Sequence, residues 1–199
     1  MYKIGIYGGT FDPIHNGHIN CAKGAFKYLE LDKIIFVPNN IPPHKKKITM
    51  SSNYDRYNMC SIALKPFNSF EVSNIELKRL GPSYTIDTLR EIKNLYTLSS
   101  IYLIVGADMF LTINNWKQSD EIFKYAIICA VPRDKNSIIH INNHCMKLKL
   151  IGIETMILDL DIMDISSTMI RNNIMRGKSI SNLVPKEVED YIYNNNVYN

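Results

Sequence analysis

The chain has 199 residues, 46% of them hydrophobic and 21% charged, and carries a formal net charge of +4. That length fits a single domain, 1–199, with its own core, and no apolar run approaches the roughly 20 residues that cross a bilayer. A mild positive charge suits anionic ligands but falls short of the strongly basic balance of a nucleic-acid binder, and a signal-peptide pattern is missing at the start.

In chain order, "YKIGIY" (2–7) predicts a first strand, and Ile19, Ala22, Phe26 and Leu29 then recur on one helical face. "KIIFVP" (33–38) predicts a second strand, closed by the Pro- and Asn-rich loop "NNIPPHKKK". A helix is expected over about 53–65, then a strand near "FEVS" (70–73). The next helix begins around Tyr84, with Ile86, Leu89, Ile92 and Leu95 on its buried face. "IYLIVGA" (101–107) and "AIICAVP" (126–132) read as strands buried on both faces. Segment 134–150 fits a helix or irregular structure, and "TMILDL" (155–160) reads as the last strand. Two helices follow, one after "ISST" and one starting at Pro185, a residue favoured at the first helical position. Strand–helix alternation with apolar strands implies an α/β fold, a doubly wound parallel sheet of Rossmann-like form. Ligands of such sheets bind beyond the carboxyl ends of the strands, so the chemistry is sought in the loops there.

The stretch "GGTFDPIHNGH" (8–18) lies in the first of those loops. Gly8 and Gly9 allow the backbone to approach a bulky anion. A helix starting near Asn16 or Gly17 turns its positive dipole end toward the same point, with His15 and His18 one turn apart. Metal, phosphate and a plain strand–helix turn all remain open for these residues alone. No third metal ligand can be named, so phosphate leads. "ISSTMIR" (165–171) offers a second anion site: Ser166 and Ser167 are N-cap types, and Arg171 one turn on can reach back in a bidentate fork. "PPHKKK" (42–47) is a stiff basic loop in which His44 or Lys45 can meet a phosphate. In "GAD" (106–108), Gly106 permits close approach and Asp108 can accept from ribose hydroxyls; Trp116 is the sole tryptophan. "PSYT" (82–85) opens a helix whose free N–H groups suit a carboxylate. The four cysteines, Cys21, Cys60, Cys129 and Cys145, show no metal-finger spacing and read as reduced thiols in a cytoplasm.

Together these pieces resemble the nucleotidylyltransferase superfamily, through "HNGH" (15–18) and "ISSTMIR" (165–171). The set "GGTFDPIHNGH", "PNNIPPHKK", "ELKRLGPSYTIDTL", "GADMF", "NW" and the final "VYN" is similar to the bacterial nicotinate-nucleotide adenylyltransferases. The resemblance implies a cytoplasmic enzyme of NAD biosynthesis that moves AMP from ATP to nicotinate mononucleotide, with Mg²⁺ carried on the ATP. It implies no dedicated protein metal site, no nucleic acid and no membrane, and leaves homo-oligomer formation open. By position, His15 and His18 would hold ATP phosphates and stabilise the transition state. Gly8, Gly9, Thr10 and Phe11 would line the nucleotide site, Ser167, Thr168 and Arg171 would grip the β- and γ-phosphates, and Gly106 and Asp108 would hold the ribose. On the acceptor side, Trp116 would stack on the pyridine ring, N–H groups around Tyr84 and Thr85 would hold its carboxylate, and His44 and Lys45 would approach its phosphate. One departure from the pattern is Lys117, where some members carry an aromatic residue; it keeps its N–H and adds positive charge. Rival expectations are a different acceptor (nicotinamide mononucleotide or phosphopantetheine) and a non-catalytic nucleotide or nucleic-acid-binding module.

Overall fold

The computed structural model describes residues 1–41 and 50–198. Six parallel strands form one sheet: β1 (Tyr2–Gly9), β2 (Lys33–Pro38), β3 (Phe70–Val72), β4 (Ser99–Gly106), β5 (Ile127–Val131) and β6 (Thr155–Ile157), in the order β3-β2-β1-β4-β5-β6. Every pairing is parallel, so each crossover runs through helical segments that cover both faces. One face is covered by α1 (Asn16–Leu29), α2 (Asn53–Leu64), α7 (Ser167–Met175) and α8 (Lys186–Asn194), which bury Ala22, Met59, Ile170 and Val188. The other is covered by α3 (Thr85–Leu95), α4 (Ala107–Phe110), α5 (Ser119–Tyr125) and α6 (Lys135–Leu150), around Leu89, Phe110, Ile122 and Ile141. None of the described helices is long and apolar enough to cross a membrane.

The sequence expectations meet this architecture with a few corrections. Leu95, expected on the buried face of α3, is 74% exposed because it lies in the last turn, after Ile92 has made the final core contact. Of the expected strand 155–160, Thr155–Ile157 pairs with β5 and the Leu158 N–H still donates to the Ala130 carbonyl at 2.9 Å; the ladder ends there. Pro185 caps α8 from outside, with extended backbone at ψ 147°, and the helix itself starts at Lys186. Segment 134–150 is a helix started by a reciprocal Asp134–Ser137 capping box.

Within β1, close packing at the switch from β2 to β4 sets a limit on side-chain size. A Cβ on Gly5 would lie 2.7 Å from Leu31 Cδ1 and 3.1 Å from Ile34 Cγ1. Gly5→Ala is therefore expected to lose about 1–3 kcal/mol by overpacking, read as a lower urea midpoint with an unchanged m-value. An unaltered midpoint would show that the core beside Gly5 is looser than described.

Candidate active site

The strand order reverses between β1 and β4, and the loops at their carboxyl ends carry the candidate residues. Gly8 and Gly9 close β1 opposite Val37 and Pro38 of β2. At Gly9 an added Cβ would strike the Phe11 ring at 2.8 Å, whereas at Gly8 it would meet nothing within 4 Å. Gly9 is thus small for the protein's own packing, and Gly8 leaves open space. Phe11 takes a left-handed backbone (φ 49°) and is buried, its ring edge-on to His18 at 5.0 Å and tilted against Phe36 at 5.7 Å.

His15 is the N-cap of α1 and His18 its third residue, and the two cap each other. The His18 N–H donates to His15 Nδ1 and the His15 N–H donates to His18 Nδ1, both at 3.3 Å. The rings stack at 3.6 Å with a 25° interplanar angle. Gly17 between them leaves room for the stack, since a Cβ there would lie 3.0 Å from His15 Nδ1. Because each Nδ1 accepts, each neutral ring carries its proton on Nε2 and has that N–H to offer. Burial pushes the His15 imidazole down to about 4. Burial, reinforced by His15 and Arg133, pushes His18 well below its ordinary value. Two neutral donors at pH 7 are the result.

The ISSTMIR segment is fastened to this loop. Ser166 caps α7 by accepting from the Met169 N–H at 3.2 Å. Ser167 Oγ donates to the Pro13 carbonyl at 2.9 Å, and Arg171 Nη1 donates to the Asp12 carbonyl at 2.6 Å. Arg171 Nη2 also reaches Thr168 Oγ1 at 3.3 Å. At the end of β4, Gly106 leads into Asp108, whose carboxylate pairs with Arg133 Nη1 at 2.9 Å. Both side chains of that pair are about two-thirds exposed, and Arg133 Nη2 lies 4.0 Å from where a Gly106 Cβ would stand.

Farther along, Tyr84 is the N-cap of α3 and no side chain caps that helix. Buried Glu76 accepts from Thr88 Oγ1 at 2.6 Å and supports the first turn. Trp116 packs against the same core as Tyr84, and its Nε1 donates to Thr112 Oγ1 at 3.4 Å. Lys117 Nζ lies 4.2 Å over the Tyr84 ring and 3.5 Å from Asp87 Oδ2. The extra charge expected at that position is therefore matched by a carboxylate. His44 and Lys45 lie outside the described residues. The structure brings His15, His18, Phe11 and Gly9 into one cluster, and joins Ser167 and Arg171 to its loop. It also supplies residues that the sequence reading left unassigned: Arg133, Asp12 and the fully buried Arg56, whose Nη1 donates to the Thr10 carbonyl at 2.9 Å. Arg133 stands two residues beyond β5, a position at a strand's carboxyl end that could have marked it.

A family model described as cytidylyltransferase-like matches residues 6–173. A Carboxydothermus hydrogenoformans protein named "Probable nicotinate-nucleotide adenylyltransferase" is 42% identical over 197 residues, 98% of each chain. A Bacillus licheniformis protein of the same name is 37% identical, over 100% of this chain and 99% of its own. Among solved structures, Plasmodium falciparum nicotinic acid mononucleotide adenylyltransferase complexed with NaAD shares the fold, with a TM-score of 0.73 at 18% identity, covering 100% of this chain and 98% of that one.

A buried imidazole held neutral makes stability pH-dependent in one direction. With a folded value near 4 for His15, the unfolded chain binds the extra proton first as pH falls below about 6.5. Stability is expected to be full near pH 7 and to fall between about pH 6.5 and 4, with His15 accounting for up to about 3 kcal/mol. Urea melts at pH 7 and pH 5, repeated on His15→Gln, check this. The acid loss is expected to shrink in the variant, and an equal loss in both proteins would contradict it.

Proposed function

The chain belongs to the cytidylyltransferase-like family, and from that premise we propose that it transfers AMP from ATP to nicotinate mononucleotide, giving nicotinate adenine dinucleotide and pyrophosphate. The observation that carries this reading is the join between the paired imidazoles and α7, made by Ser167 on the Pro13 carbonyl and Arg171 on the Asp12 carbonyl. That join sets two neutral N–H donors and one guanidinium around a single loop at the switch point of the sheet. Such a set is suited to a polyphosphate. The names of the relatives supply the acceptor.

The reaction needs little covalent chemistry from the protein. A phosphate monoester is already largely dianionic at pH 7, so no base must take a proton from it. An oxygen of the acceptor phosphate forms a bond to the α-phosphorus of ATP. The bond from that phosphorus to the oxygen bridging to the β-phosphate breaks, and pyrophosphate leaves with the electron pair. What remains is alignment of two anions and neutralisation of charge on the group in transfer. The Nε2–H groups of His15 and His18 serve the oxygens of that group. Ser167, Thr168 and Arg171 take the leaving phosphates, and Gly8, Gly9 and Thr10 border the nucleotide. Arg133, paired with Asp108, adds a cation at the rim where the adenosine is held. Mg²⁺ would come with the ATP and would supply charge neutralisation on its phosphates. On the acceptor side, Trp116 stacks on the pyridine ring, the open N-terminus of α3 at Tyr84 and Thr85 takes the carboxylate, and His44 and Lys45 meet the phosphate.

His18→Ala is expected to lower kcat about 100-fold or more, the scale of losing one preorganised donor, with the fold retained by circular dichroism; wild-type turnover would refute its role. With ATP and Mg²⁺, nicotinate mononucleotide is expected to support pyrophosphate release and phosphopantetheine to support none. The kcat/KM for nicotinate mononucleotide should exceed that for the nicotinamide compound at least ~10-fold, because a charge-assisted hydrogen bond is exchanged for a neutral one. Release with phosphopantetheine alone would overturn the acceptor.

A further inference from the structure

Asp12, in the middle of the GGTFDPIHNGH stretch, is 3% exposed, and its carboxylate is ringed by donors from three distant parts of the chain. Ser51 Oγ donates to Oδ1 at 2.5 Å, and the Ser51 N–H lies 3.4 Å from both carboxylate oxygens. Tyr198 OH donates to Oδ1 at 2.8 Å. Arg171, which holds the Asp12 carbonyl, keeps Nη1 4.0 Å from Oδ2. Burial and the adjacent Asp12 push the Tyr198 phenol far above its ordinary value, so it keeps its proton and remains a donor.

Tyr198 is brought there by a docked element. On α8, Tyr191 OH donates to Asp55 Oδ1 at 3.0 Å and accepts from Asn58 Nδ2 at 3.1 Å, both on α2. The chain then turns, Val197 N–H bonding back to the Ile192 carbonyl at 3.1 Å, and the Tyr198 ring packs against the core that contains Phe11 and Met59. The same α2 supplies Arg56, which holds the Thr10 carbonyl from beneath. Residues 10, 12 and 13 of the imidazole loop are thus each gripped by a different side chain, and the Ser51 and Tyr198 hydroxyls meet at one carboxylate oxygen of Asp12.

We infer that Tyr198 is a positioning residue for adenylyl transfer: through Asp12 its hydroxyl holds the loop that carries His15 in register with Arg171 on α7. It touches neither reactant. Its effect is on how rigidly the imidazoles and the guanidinium share one frame, which matters most when charge is moving in the transition state. The kinetic arm of the test rests on the proposed adenylyl transfer, so a second arm is independent of turnover.

Tyr198→Phe removes only the hydroxyl and leaves the packed ring. It is expected to lower kcat ~5- to 10-fold, the scale of one buried hydrogen bond, with KM for ATP and for the acceptor within ~2-fold of wild type. In ligand-free protein, long-range ¹H–¹⁵N spectra of the imidazoles are expected to show the His15 and His18 signals moving in the variant while that of His140 stays. Ser51→Ala, which removes the other hydroxyl on the same carboxylate oxygen, is expected to act in the same direction and serves if Tyr198→Phe folds poorly. Unchanged kcat and unchanged imidazole signals, with only the melting temperature lowered, would overturn the inference and leave Tyr198 a packing residue. Shifted imidazole signals in a protein that forms no dinucleotide would keep Tyr198 as the residue that holds the imidazole loop and reject the proposed reaction.

Discussion

The reciprocal cap between His15 and His18 is the constraint on which the site depends. Each imidazole satisfies one of the first N–H groups of α1 that a helix leaves unpaired. In doing so each ring spends its Nδ1 as an acceptor and keeps its proton on Nε2. The stack at 3.6 Å is eased by Gly17, since a Cβ there would lie 3.0 Å from His15 Nδ1 and press on the ring. Burial keeps both rings uncharged near neutrality. An arrangement that starts as helix capping therefore ends as a pair of aligned neutral donors, with no histidine carboxylate partner needed to set the tautomer.

A pair of donors alone binds phosphate weakly, and the fold adds charge by bringing α7 across. Ser167 and Arg171 hold consecutive carbonyls of the imidazole loop, at Pro13 and Asp12. The cations are graded by exposure. Arg56 is fully buried and structural, Arg171 is a quarter exposed beside the loop, and Arg133 stands two-thirds exposed at the rim with Asp108. A buried guanidinium is costly unless hydrogen bonds offset its burial; here the Thr10 carbonyl accepts from Nη1 and Asn53 Oδ1 from Nη2, while Nε has no hydrogen-bond partner among the described residues. The outer two arginines stand nearer solvent. At the opposite end, α3 begins without a side-chain cap, and Lys117 spans Tyr84 and Asp87 beside it.

Much of the fold was legible because its signals are local. The period of Ile19, Ala22 and Leu29, the apolar runs at 33–38 and 126–132, and the cap at Ser166 each depend on neighbours in the chain. No element is predicted over 108–125, since three short helical pieces present too few residues to show a period. On α6 the period is blurred for a different reason. Ile141 and Leu148 are buried while Ile139, Met146 and Leu150 are exposed, so apolar residues ring the helix and no single face stands out. Leu95 misled the reading in the same way, being apolar at a helix end that has run past the core.

What the sequence by itself determined is the set of residues and their local frames: glycines at a strand end, two histidines one turn apart, a serine-capped helix with an arginine one turn in. These follow from interactions over three or four residues. What only the tertiary structure decided is which of them share a frame. Asp12 lies in the most legible stretch of the chain, yet nothing local assigns it a role. Its partners Ser51, Arg171 and Tyr198 stand 39, 159 and 186 residues away. A buried carboxylate must be hydrogen-bonded to persist, but which donors reach it depends on how α2, α7 and α8 pack over the sheet, and no spacing in the sequence encodes that meeting.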